Sequence, residues 1–62
     1  KVMAYLLSEA SIQGSDSFTI PYDRQELADF LGVERSAMSA VISKLRDDGY
    51  IQVNRRHFQL MR

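Results

Sequence analysis

Cysteine is absent from the 62 residues, which excludes a disulfide framework, a thiolate metal site and a cysteine nucleophile. A reducing compartment fits that absence. Tryptophan is also missing, one histidine, His57, stands without a Cys or an evident carboxylate partner, and no serine lies in a G-x-S-x-G elbow, so neither a catalytic nor a metal role is expected of them. No apolar run approaches the ~20 residues of a membrane span, and no signal peptide is evident. A chain this short buries only about 60% of the surface its unfolded form exposes. That supports one core and no deep cleft, so residues 1–62 are read as a single small domain. The first residue is Lys1 and not methionine, so the expectation is a fragment of a longer protein.

Net charge of one sign is missing as well: eight Lys and Arg balance eight Asp and Glu. The distribution is uneven. Residues 1–34 hold Lys1 and Arg24 against Glu9, Asp16, Asp23, Glu26, Asp29 and Glu34, a net of −4. Residues 35–62 hold Arg35, Lys44, Arg46, Arg55, Arg56 and Arg62 against Asp47 and Asp48, a net of +4. Such a split points toward a polyanionic partner for the second half.

What is present is a series of short periodic segments. Val2, Met3, Leu6, Leu7 and Ala10 recur at helical spacing and predict an amphipathic helix over residues 1–11. The stretch QGSDS (13–17) is loop chemistry, and FTIPY (18–22) is a short strand candidate held at an edge or ended by Pro21. Asp23 followed by Arg24-Gln25-Glu26 has the pattern of a capping box, so a helix starts there and runs to about Leu31. Gly32 suits the bend that follows. A further helix begins near Glu34 or Arg35, with Met38, Val41, Ile42 and Leu45 as one apolar stripe and Gly49 as its stop. YIQV and HFQL alternate around Asn54-Arg55-Arg56, which predicts a hairpin with Ile51, Val53, Phe58 and Leu60 on one face and Gln52, His57 and Gln59 on the other.

Two helices joined by a tight glycine turn have the geometry of a helix-turn-helix. Ala28 permits close crossing, and Leu27, Leu31, Val33, Met38 and Val41 supply the shared core. With that stripe buried, Ser36, Ala40, Ser43 and Asp47 point outward with Ser39 beside them, and Arg35 sits at the positive end of the helix. A helix in the major groove reads bases from near its N-terminus, where small hydroxyl and methyl side chains allow close approach. The same positions also suit an ordinary solvated helix face. Arg55 and Arg56 at a hairpin tip suit phosphate through their planar forks, or serve as a charged turn that discourages edge pairing. His57, Asp47, Asp48 and the three methionines read as surface or core residues, and Tyr5, Tyr22 and Tyr50 as half-buried ones.

The run IPYDRQELADFLGVERSAMSAVISKLRDDGYIQV resembles the C-terminal DNA-binding domain of the Crp/Fnr transcription regulators. The leading helix and the FTIP strand fit too, so the resemblance spans nearly the whole chain. It implies an α+β winged helix-turn-helix, with three helices and a small antiparallel sheet, on a homodimeric, cytoplasmic bacterial regulator without enzymatic activity. The partner is then double-stranded DNA carrying an inverted-repeat operator, with RNA polymerase as a further candidate. The effector, a cyclic nucleotide or another molecule, would bind an N-terminal domain outside these residues, so no cofactor is expected in this domain. Carried over by position, Arg35, Ser36, Ser39 and Ala40 face the bases. Arg24, Gln25, Ser43, Lys44, Asn54, Arg55 and Arg56 meet phosphate. The best-known members carry Glu at the place of Ser36 and Arg at the place of Ala40, so a different operator is expected here, read more by Arg35 and Ser39. The competing reading is a winged helix used as a protein–protein interaction module.

Overall fold

The computed structural model describes residues 1–61; Arg62, counted among the cations above, lies outside them. The elements run α1 (Val2–Gln13), β1 (Ser17–Thr19), α2 (Arg24–Leu31), α3 (Arg35–Asp47), β2 (Ile51–Asn54) and β3 (His57–Leu60). The strands form one antiparallel sheet in the order β1-β3-β2, and the three helices pack on its apolar face. This is a winged helix-turn-helix, with the β2–β3 hairpin as the wing.

The helix-turn-helix forms for local reasons. Asp23 caps α2 by accepting from the Glu26 N–H at 2.8 Å, while the Glu26 carboxylate accepts from the Asp23 N–H at 3.0 Å. The reciprocal pair satisfies two N–H groups that otherwise have no partner. Gly32 ends the helix at φ 70°, left-handed backbone that L side chains resist. Three residues, Gly32, Val33 and Glu34, then separate α2 from α3. The Val33 N–H returns to the Ala28 carbonyl at 3.0 Å and closes the turn. Ala28 and Leu27 are fully buried, and Met38 and Ile42 of α3 are nearly so. A larger residue at 28 would force the two helices apart.

The wing lies in register as the alternation requires. Val53 faces Phe58 and Ile51 faces Leu60 across the hairpin, while Phe18 faces Phe58 from the other side. Phe58 therefore sits at the centre of the sheet with no exposed surface. Gln52, Asn54, His57 and Gln59 take the outer face with Ser17 and Thr19. There His57 joins two strands: Nε2 lies 2.9 Å from Ser17 Oγ and Nδ1 2.9 Å from Thr19 Oγ1.

Several expectations are corrected. Val41 is 46% exposed and does not belong to the buried stripe, which runs through Met38 and Ile42 with Leu45 at its edge. On α3 it lies about 100° around from Ile42, beyond the narrow arc that so small a core covers. Helix α1 extends to Gln13, where Gly14 stops it, and is apolar on its outer side too, with Leu7 and Ile12 exposed. Strand β1 spans only Ser17–Thr19. The Ile20 N–H still donates to the Arg56 carbonyl at 2.9 Å, but Pro21 has no N–H and pairing ends. Asn54 belongs to β2 and not to the loop, so the turn is Arg55-Arg56 alone. Tyr50 is exposed, not half-buried, whereas Tyr5 and Tyr22 are half-buried as expected.

Candidate nucleic-acid interface

The cap of α2, the start of α3 and the tip of the wing meet around an open depression of about 330 Å³. Asp23, Arg24, Gln25, Arg35, Arg55 and Arg56 line it. Three separate segments thus bring four guanidinium groups together. The carboxylate among them, Asp23, is committed to the helix cap. Among the described residues the two ion pairs lie elsewhere, Lys44–Asp48 and Arg46–Asp47. None of the four arginines is in an ion pair among the described residues, so against the one Asp23 carboxylate the depression keeps an excess of positive charge, which is the condition for holding an anion.

Arg24 is the best supported of the four. It occupies the first turn of α2, and its guanidinium carbon lies 5.2 Å from the centroid of the Phe58 ring. The ring's negative face fixes the cation without spending its N–H donors. Burial, followed by the nearby Arg35 charge, pushes the Arg24 pKa below its ordinary value, yet an arginine remains protonated at neutral pH. An arriving phosphate would relieve that repulsion. The free N–H groups at the α2 N-terminus add further attraction.

The wing tip carries a strained residue. Arg55 adopts φ 56°, the left-handed region that a two-residue hairpin turn requires and that Gly or Asn fills at less cost. The turn thus retains a second guanidinium at the price of backbone strain.

The structure gathers Arg24, Gln25, Arg35, Arg55 and Arg56 from the expected site residues. The rest lie outside the depression. Ser36 and Ala40 are exposed on the outer side of α3, and Ser39 and Ser43 are half-buried. None of these three serine hydroxyls has a hydrogen-bond partner among the described residues. Lys44 is bound to Asp48 at 3.2 Å, one turn along α3. The Gln25 side-chain amide donates to Asp29 at 3.0 Å, along α2. Asn54 lies on the outer sheet face with Gln52, His57 and Gln59, away from the arginines. The sequence reading missed the support of Arg24 by Phe58. The two are distant in the chain, and only the packing of α2 on β3 joins them.

The fold is that of a winged helix-turn-helix. All of residues 1–62 match the Crp-like helix-turn-helix domain, and the chain belongs to that family. No curated protein and no solved structure matches the chain. Membership of the family implies DNA as partner and a role in transcription regulation. Helix-turn-helix domains of this kind are typically non-enzymatic. Among the described residues no helix is long and apolar enough to cross a membrane.

Proposed function

We propose that the chain is the sequence-specific DNA reader of a Crp/Fnr-type bacterial transcription regulator. The observation that carries this is the cluster of four guanidinium groups, none in an ion pair among the described residues, lining one depression at the start of α3. In this reading α3 lies in the major groove. Its 13 residues span about 20 Å, and a helix with its side chains matches a groove about 12 Å wide. Arg24, with Gln25, holds the DNA backbone at the start of α2, and Arg55 and Arg56 hold it from the wing. Asn54, Ser43 and Lys44 are secondary contacts, Lys44 only after leaving Asp48. Arg35 and Ser39, with Ser36 and Ala40 as small neighbours, address the bases. Because Ser36 and Ala40 replace the family's usual Glu and Arg, the operator differs from the familiar one.

Two copies, held about 34–36 Å apart, would bind successive turns of an inverted repeat. A single copy binds weakly because it makes half the phosphate contacts and lacks the effective-concentration gain of a dimer. An effector domain, for a cyclic nucleotide or another small molecule, would set that spacing in the cytoplasm of a bacterium, and RNA polymerase is a further partner. Selection from a random DNA pool, using the chain fused to a dimerising helix, tests the reading. Enrichment of an inverted repeat unlike the familiar operator supports it. Preference for the familiar operator refutes the assignment of readout to Arg35 and Ser39. Absence of enrichment favours the protein-interaction alternative.

A further inference from the structure

A second surface of the fold has a different chemistry. Tyr5 of α1, Tyr22 before α2 and Phe30 of α2 form a closed aromatic triad. Tyr22 stacks on Phe30 with centroids 5.1 Å apart, Tyr5 meets Phe30 edge-on at 5.7 Å, and the two tyrosines lie 6.4 Å apart. Phe30 is nonetheless 59% exposed. A large apolar ring held rigidly in solvent by two others costs little entropy to bury, which is the character of an interface anchor. It is not needed for the core, whose fully buried aromatic is Phe58.

Two carboxylates flank the triad. Glu9 lies beside the Tyr5 hydroxyl and, after burial, is the next cause that raises the Tyr5 pKa to about 12. Glu26 stands one turn before Phe30 on α2, whereas Asp29, about 100° around the helix from Phe30, turns toward Gln25. Their hydrogen bonds are to neutral groups: Gln13 for Glu9, the Asp23 N–H for Glu26 and Gln25 for Asp29. None of the three is in an ion pair among the described residues. Lys1, whose ammonium lies 3.5 Å from the Leu31 carbonyl, leaves the patch net negative. DNA is repelled by such a surface. A cation that also presents apolar atoms is attracted twice, by the ring faces and by the carboxylates.

We propose that the Tyr5–Tyr22–Phe30 face is a docking site for a partner protein segment carrying Arg or Lys beside an apolar side chain. On α2, Gln25 and Phe30 are about 140° apart around the helix axis, so the site remains open while the arginine depression is occupied. The inference does not depend on DNA recognition. It gives the domain a second partner of opposite charge preference.

Panning a displayed library of short random peptides against the chain, first without DNA, tests it. The expected winners carry Arg or Lys next to an aromatic or aliphatic residue. A synthetic winner loses about tenfold or more in affinity on Phe30→Ser. It also weakens on Phe30→Leu, which keeps apolar area but removes the π face, and on Glu9→Gln. The Glu9→Gln variant shows a reduced salt dependence. A saturating DNA duplex leaves peptide affinity unchanged once the peptide's own binding to free duplex, measured separately, is taken into account. No enrichment, winners without cations, or binding indifferent to Phe30→Ser and Glu9→Gln would overturn the proposal. So would self-association of the chain through this face, seen as a diffusion coefficient that falls with concentration and recovers on Phe30→Ser. A chain that ignores DNA but captures cationic peptides would refute the DNA reading and leave this one standing.

Discussion

Phe58→Ala removes the side chain on which both stability and the arginine depression rest. Phe58 occupies the central strand, has no exposed surface, and faces Phe18 of β1 and Val53 of β2, with the Phe18 centroid 6.4 Å away. Truncating a buried Phe to Ala costs about 3–5 kcal/mol, from lost transfer energy and from the cavity left behind. A 62-residue domain has about 3–9 kcal/mol in total, at the usual stability per residue. The single change therefore consumes from about a third to all of the folding free energy. Urea denaturation followed by far-ultraviolet circular dichroism should show Phe58→Ala destabilised by about 3–5 kcal/mol, with the folded baseline lost if the parent's stability lies at the low end of its range. Phe58→Leu should fold with a lowered midpoint. That second variant isolates the other role of the ring. With the wing charges intact, it should still lose about 0.5–1 kcal/mol of DNA affinity as Arg24 loses its aromatic support. A Phe58→Ala midpoint within about 1 kcal/mol of the parent chain would refute the placement of Phe58 at the centre of the core.

Three further outcomes follow from single features. Asp23→Ala removes the side-chain half of the α2 capping box, leaving the residue-23 N–H still able to donate to Glu26, and should cost about 0.5–2 kcal/mol in urea denaturation, with no change in the wing. Arg55→Gly relieves the left-handed strain at the turn, so it should leave stability equal or raise it by up to about 1 kcal/mol. The same variant should reduce the slope of log affinity against log salt by about 0.9, separating fold from binding. Tyr5 has its pKa raised from 10.0 to about 12, by burial first and then by Glu9. A raised acid pKa means the native state retains the proton that the unfolded chain loses. Stability should therefore be fully present below pH 10 and fall between pH 10 and 12, and Tyr5→Phe should flatten that fall in thermal melts taken across the range.

The helix-turn-helix is legible because its signals are local. Asp23 and Glu26 are spaced for a capping box, Gly32 stands where a left-handed residue is required, and Ala28 marks the close crossing. The hairpin is equally legible, since a period of two sorts Ile51, Val53, Phe58 and Leu60 onto one side. Less visible is what depends on three-dimensional packing. The position of Val41 could not be judged from periodicity, because an i, i+3 spacing cannot say how wide the buried arc is in a domain this small. The three residues of β1 carry no period of their own, and their place beside β3 follows from pairing and from the His57 clasp. The arginines were each suspected, but from separate segments. Only the fold shows that Arg24, Arg35, Arg55 and Arg56 line one depression while Lys44 and Asn54 stand outside it. Tyr5, Tyr22 and Phe30 are likewise scattered along the chain and adjacent in space.

The most direct test of the central claim is the salt dependence of DNA affinity for the dimerised chain and for its Arg24→Ala/Arg55→Ala/Arg56→Ala variant, on the same selected duplex. If these arginines grip the backbone, removing three phosphate contacts from each domain lowers the magnitude of the slope by about 2.7 per domain engaged. The fold itself, judged by circular dichroism, should persist. An unchanged slope in a folded variant would contradict the account, because the depression would then hold no part of the DNA backbone.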